Sequence, residues 1–203
     1  MADPLSNPFA TRYVRPGAIS YRWPAGGVAE FLDRLKACNW RGEIVGPHGS
    51  GKSTLLATLV PALEAVGRRV MLFTLGEGAR RLPHGGEQLA AAGPGTVVIV
   101  DGYEQLSGWA RWMLRTACRR RQCGLLVTTH RTSGLPRVTE TRVDPAVAVD
   151  IVRELVGEHG SVEPGEVLPA LEASRGNLRE ALFQLYDLYE ARRPTANASR
   201  DDG

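Results

Sequence analysis

Apolar positions change period repeatedly along the first two thirds of the chain, and each change marks a predicted element. Val28, Phe31, Leu32 and Leu35 share one helical face over residues 28–38. Glu43-Ile44-Val45 is a short β-prone run. Leu55, Leu56, Leu59, Leu63 and Val66 then return to helical spacing over residues 53–66. Residues 69–75 read as a second strand. Residues 96–100 are a continuous apolar run, as in a strand buried on both faces, and residues 124–130 are another. Between them residues 106–121 are predicted helical, with Leu106, Ala110, Met113, Leu114, Ala117 and Cys118 facing inward. Residues 76–95 are broken by Gly and Pro around a short helix at 87–92, and residues 138–143 form the last strand. Strands alternating with helices imply an α/β fold on a parallel sheet.

From Asp144 onward the period is helical throughout. Ala148, Ile151, Val152, Leu155 and Val156 share one face. Val167, Leu168 and Leu171 mark a second helix, and Leu178, Ala181, Leu182, Leu185 and Tyr189 a third. The predicted organisation is an irregular arm rich in Pro, Gly and aromatics (1–27), an α/β core (28–143), a helical appendage (144–190) and a disordered polar tail (191–203). No internal repeat is present.

The junction between the first strand and its helix carries the chemistry. Gly46, Pro47, His48, Gly49, Ser50, Gly51, Lys52, Ser53 and Thr54 fit the phosphate-loop pattern G-x-x-x-x-G-K-[ST]. Glycines let successive backbone N–H groups turn toward one anion, and the following helix sets its partly positive end beneath it. Lysine reaches the outer phosphates, and the Ser53 hydroxyl suits Mg²⁺. Composition sharpens this reading. Of 25 basic side chains only Lys36 and Lys52 are lysine, so an arginine-using chain places lysine where this loop needs it.

Asp101 ends the apolar run 97–100, where a carboxylate would serve the same Mg²⁺ together with Ser53. Hydrolysis also needs a group that orients or deprotonates water. The residue after Asp101 is Gly102, and the first acid is Glu104, which either reaches the site or caps the next helix. Thr129 and His130 end another central strand, at the edge where open α/β sheets bind ligands. In the helical appendage Asn177 reads as an N-cap with Glu180 as its capping partner. Arg179 then sits in the first turn, where a cation opposes the helix dipole unless an anion is near.

The charge is divided. Residues 1–143 carry 19 basic and 10 acidic side chains, a net of +9; residues 144–203 carry 6 and 12, a net of −6. Two units with different surfaces, nucleic-acid contact and head-to-tail self-association all fit that asymmetry. Arg111, Arg115 and Arg119, flanked by Trp109 and Trp112, stand at i, i+4, i+8 as a solvated face, a DNA-phosphate contact or a subunit contact. Cys38, Cys118 and Cys123 are sparse and odd in number. They suggest reduced thiols and a cytoplasmic protein rather than a disulfide framework or a zinc site. No run has the length of a membrane span, and the first residues do not resemble a secretory signal.

Taken in order, the loop 46–54, the strand ending at Asp101, the polar strand end Thr129/His130 and the Gly176-Asn177-Leu178-Arg179 helix start resemble the AAA+ branch of P-loop ATPases, over about residues 28–190. The resemblance implies a three-layer αβα core with a small C-terminal helical lid. It also implies ATP and Mg²⁺ as ligands, and binding or hydrolysis of ATP that drives a conformational change in a partner or a homo-oligomer. The candidate catalytic set is Lys52, Asp101, Glu104, Thr129, His130 and Arg179, and the resemblance implies Thr129 or His130 as the γ-phosphate sensor and Arg179 as the lid arginine. Tyr13, Val14, Tyr21 and Trp23 are candidates to pack on adenine.

Two departures bear on turnover: Gly102 stands where such ATPases often have Glu, and the stretch from His130 to Val138 is too short for a helix bearing a trans arginine finger. Arg131 and Arg137 remain candidates for that role. Slow hydrolysis is therefore expected. A nucleotide-dependent switch with little turnover, a small-molecule kinase and a degenerate ABC-type ATPase are the alternatives. The last rests on Thr128-Thr129-His130 and on a signature-like segment at 82–88.

Overall fold

The computed structural model describes residues 7–23, 26–83, 85–157 and 162–192. His84 of the segment 82–88 and nearly all of the predicted tail lie outside the described residues. The elements in chain order are α1 (Thr11–Val14), α2 (Gly27–Ala37), β1 (Arg41–Val45), α3 (Lys52–Ala65), β2 (Arg69–Thr74), α4 (Gly85–Ala90) and β3 (Thr96–Asp101). A 3₁₀ turn at Tyr103–Gln105 follows, then α5 (Gly108–Arg120), β4 (Gly124–Thr129), β5 (Arg137–Glu140), α6 (Pro145–Val156), α7 (Pro164–Ala173) and α8 (Leu178–Arg192).

The five strands make one parallel sheet in the order β2-β3-β4-β1-β5. The apolar runs of β3 and β4 are buried along their length because both faces are covered. Their side chains alternate between two cores. Val97, Ile99 and Leu126 join Ile44, Leu55, Leu59 and Leu63 on the face of α2 and α3. Val98, Val100, Leu125 and Val127 join Phe73, Leu114 and Cys118 on the face of α4 and α5.

Ser107 caps α5, its hydroxyl accepting from the Ala110 amide at 3.2 Å. Leu106 therefore precedes the helix rather than opening it. Met113, expected inward, is 44% exposed; Ala110, Leu114 and Cys118 suffice to fill that face. The arginines on this helix also differ from a free stripe. Arg111 donates to the carbonyls of Leu106 and Glu104, and Arg115 to Tyr103 Oη and the Ser133 carbonyl.

Ser20–Arg142 form one compact unit. The described parts of residues 1–19 and 143–203 form a second. In the second unit Phe9 is buried among Ala148, Val152, Val167, Leu171, Leu182 and Leu185. Asn7 Nδ2 donates to the Tyr186 carbonyl at 3.1 Å and to Glu190 Oε1 at 2.8 Å, fixing this segment on α8. No helix of the described residues is long and apolar enough to cross a membrane.

Candidate functional site

Three strand ends converge where the chain leaves β1. Val45 lies beside Thr129 in register, and β3 ends on the far side of β4 at Asp101. Because all strands are parallel, the segments after β1, β3 and β4 leave the same carboxyl edge of the sheet.

The loop 46–51 is shaped by its neighbours. A Cβ on Gly46 would fall 2.1 Å from Thr141 Oγ1 and 2.5 Å from the Thr141 carbonyl, so only glycine fits. Ser50 Oγ donates to the Pro47 carbonyl at 2.9 Å and lies 2.6 Å from Thr141 Oγ1; with the serine proton committed, Thr141 donates. Gly49 and Gly51 take φ of 69° and 88°. Gly51 is the N-cap of α3, and no side chain among the described residues caps that end. The first-turn amides and the positive pole of the helix therefore face the loop. Lys52 opens α3 and is nearly buried. Its ammonium donates to the carbonyls of Gly46 at 2.7 Å and Pro47 at 2.6 Å and lies 3.4 Å from His130 Nδ1. Thr54 follows in the same first turn.

Asp101 is held at both oxygens. Ser53 Oγ donates to Oδ2 at 2.7 Å and Thr128 Oγ1 to Oδ1 at 2.6 Å. Alternation along the strands explains the set. Asp101 has the parity of Val97 and Ile99, and Thr128 that of Leu126, so both point to the face that α3 covers. Thr129 has the opposite parity, and its hydroxyl turns back to the Arg131 carbonyl. Thr128, rather than Thr129, is thus the threonine beside Asp101. It escaped sequence reasoning although the alternation that reveals it was readable.

Gly102 explains the missing acid after Asp101. It takes φ of 83°, and a Cβ there would lie 2.9 Å from the Leu75 carbonyl. The next acid along the chain, Glu104, lies in the 3₁₀ turn, and Ser107 rather than Glu104 caps α5. Glu104 Oε1 lies 2.6 Å from His130 Nε2. Its Oε2 is buried without a hydrogen-bond partner among the described residues. His130 stacks on His48, ring centroids 3.6 Å apart. Burial, with the Lys52 ammonium beside it, holds the His130 pKa below the ordinary imidazole value, while Glu104 pulls the other way. His130 Nε2 faces Glu104, and its Nδ1 lies between the Lys52 ammonium and the Gly46 carbonyl, 3.2 Å from the latter. Glu104, His130 and Lys52 thus form one connected chain.

A second buried carboxylate was missed entirely. Glu43, inside β1, accepts from Thr132 Oγ1 at 2.6 Å and from Ser133 N at 2.7 Å and Ser133 Oγ at 2.6 Å. Burial raises its pKa, but the hydrogen bonds from Ser133 and Thr132 outweigh burial and leave it below the usual carboxylate value. Glu43 and Arg115 together pin the segment after β4, and hence His130. Arg131 and Arg137 are both exposed, and Arg137 pairs with Glu140 at 3.4 Å.

Of the aromatic candidates, Tyr21 packs beside the loop: a Cβ on Gly51 would meet its ring at 3.6 Å. Trp23 meets Tyr21 edge-on at 5.1 Å. Tyr13 and Val14 belong to the second unit, as does Arg179. There Asn177 Oδ1 accepts from the Glu180 amide at 3.4 Å and Asn177 Nδ2 donates to Glu180 Oε1 at 2.8 Å, leaving Arg179 exposed in the first turn of α8.

No protein-family model matches the chain, and no curated protein matches it. Solved structures do. The RuvB Holliday junction branch migration motor of Thermotoga maritima superposes with a TM-score of 0.55 at 17% identity, over 78% of this chain and 59% of that one. The replication initiator DnaA, bound to AMPPCP and single-stranded DNA, gives 0.55 at 18% identity, over 84% and 63%. The chain has a P-loop NTPase fold, and its core and C-terminal helices are like those of these AAA+ ATPases. It spans about three fifths of their length.

Proposed function

We propose that this protein binds ATP with Mg²⁺ through residues 46–54 and hydrolyses it slowly, so that nucleotide state alters the conformation of an assembly or partner. The observation that carries the reading is the 2.7 Å hydrogen bond from Ser53 to Asp101, beside a loop that only glycine can build and a helix end with no side-chain cap. The donor set suits the ligands. Oxygen groups from one hydroxyl and one carboxylate are what Mg²⁺ takes in phosphate sites, usually with several waters. When bound there, Mg²⁺ would supply charge neutralisation at the outer phosphates. The chain's own contributions are separate. Backbone amides of the loop and the α3 terminus orient the phosphates. Lys52, now bonded to two loop carbonyls, exchanges these for phosphate oxygens. Thr128 and Ser53 hold the Asp101 carboxylate in one orientation. Glu104, in contact with His130 Nε2, is our candidate to accept a proton from water. Tyr21 offers a flank to the base.

One observation favours the alternative of a switch with little turnover: the backbone at Gly102 keeps any carboxylate from the position directly after Asp101. Steady-state hydrolysis in Mg²⁺ and in chelator, paired with equilibrium nucleotide binding, decides between them. Mg²⁺-dependent ATP binding with turnover below about 1 s⁻¹, the low end for ordinary enzymes, is expected. Binding with no turnover above buffer would leave the switch. Failure to bind nucleotide in Mg²⁺ would overturn both.

A further inference from the structure

Helix α5 carries a surface that the nucleotide site does not use. Trp109 and Trp112 are 62% and 60% exposed, Met113 is 44% exposed, and Arg119 and Arg120 are exposed as well. On a helix, positions 109, 112, 113, 116, 119 and 120 form one stripe. Its first half is aromatic and its second half is guanidinium. A shallow groove beside it is lined by Trp112, Met113, Thr116, Ala117, Arg120 and Arg121. Two large indoles left in water one helical turn apart need a partner; scattered surface apolar residues do not. The inward-turned Arg111 and Arg115 show that the helix is not simply arginine-rich by habit: those two fasten Tyr103 and Ser133 inside the fold, while Arg119 and Arg120 are left outside.

Charge identifies the partner's chemistry. From Gln105 to Thr139 the sequence has seven arginines and no acidic residue. Flat aromatic faces beside guanidinium groups, with no acid among them, match nucleobases stacked on indole and phosphates held by arginine. A duplex keeps its bases stacked and offers neither face. We infer that the exposed Trp109–Arg120 stripe of α5 is a docking platform for single-stranded DNA, with bases stacking on Trp109 and Trp112 and phosphates meeting Arg119 and Arg120.

The test is fluorescence anisotropy of a labelled 20-nucleotide oligo-dT with the full chain, with and without Mg·ATP, across a salt series. Wild type should bind. Trp109→Ala with Trp112→Ala should weaken binding by about tenfold or more, and Trp109→Phe with Trp112→Phe should restore most of it. Arg119→Ala with Arg120→Ala should lower the slope of log affinity against log salt by about 1.4, the value for two phosphate contacts on a single strand. All three variants should keep wild-type melting temperature and ATP affinity, which separates failure here from failure of the nucleotide reading. Absence of oligo-dT binding overturns the proposal, as does binding that survives loss of both tryptophans. Equal affinity for duplex DNA, or a clear preference for oligo-U, overturns it too. A wild-type mass above monomer that falls in the tryptophan-to-alanine variant, without oligonucleotide binding, would assign the stripe to a second copy of the chain instead.

Discussion

Two halves of the candidate site are built differently. Around Ser53 and Asp101, adjacent strand ends and the first turn of α3 supply every contact, and both Asp101 oxygens are satisfied. Around Glu104 and His130, the groups come from a 3₁₀ turn and a strand-exit segment, remain partly exposed, and leave one buried carboxylate oxygen without a partner among the described residues. A sheet edge fixes position through register, whereas a short turn fixes it only through the side chains that meet it. The first half is suited to holding charged ligands in one geometry. The second is suited to a proton that must move.

The contrast predicts separable losses. Glu104→Gln keeps the size of the side chain and its contact with His130 but removes the base. Turnover should fall by about a hundredfold, the lower end for general-base catalysis, while ATP affinity stays unchanged. A fast rate that Glu104→Gln leaves untouched would erase the distinction between the halves. Asp101→Asn should act oppositely. It should cost about tenfold in ATP affinity in Mg²⁺ and nothing in chelator, because one charge-assisted contact is lost, and calorimetric titration reads both.

Arg179→Ala tests whether the second unit responds to nucleotide. Its exposed guanidinium in the first turn of α8 opposes the helix dipole, so hydrogen exchange at residues 177–185 should slow with ATP but not ADP, and the variant should lose that difference. Its ADP affinity should remain, and its ATP affinity should drop by no more than about tenfold. Equal protection with both nucleotides would return Arg179 to solvent.

The smallest expected effect is a pH dependence. His130 has a lowered pKa in the folded chain, so the unfolded chain binds its proton first as pH falls. Its contribution is complete above the ordinary imidazole value of 6.5 and is lost as pH falls through the folded value. Glu43, also lowered, repeats this sign below 4.5. Melting temperature should decline in two stages on acidification, and His130→Asn should flatten only the upper one.

Much of the α/β unit was legible because its signals are redundant. The buried runs of β3 and β4, the helical spacing of α3 and the phosphate-loop pattern each point to the same parallel sheet. The Asn177–Glu180 cap was equally readable, since capping chemistry is local. What escaped was non-local. Glu43 looked like a polar residue at a strand start; only the chain from Thr132 to Ser133, about ninety residues later, makes it a buried anchor. Phe9 stood in an aperiodic arm with no pattern to mark its burial among α6, α7 and α8. Glu104 was open between two roles because a turn residue's direction depends on what lies opposite, here His130. Met113 was placed inward by helical spacing alone, which does not say how wide the covered face is.

The central claim is that residues 46–54 hold the phosphates of ATP, with Lys52 as their cation. Titration of Mg·ATP into wild type and a folded Lys52→Ala variant, with circular dichroism as the check on folding, tests it most directly. The account predicts wild-type binding and a loss of about a hundredfold in the variant, the scale of a buried charge-assisted contact. Equal affinity in the two proteins would contradict it.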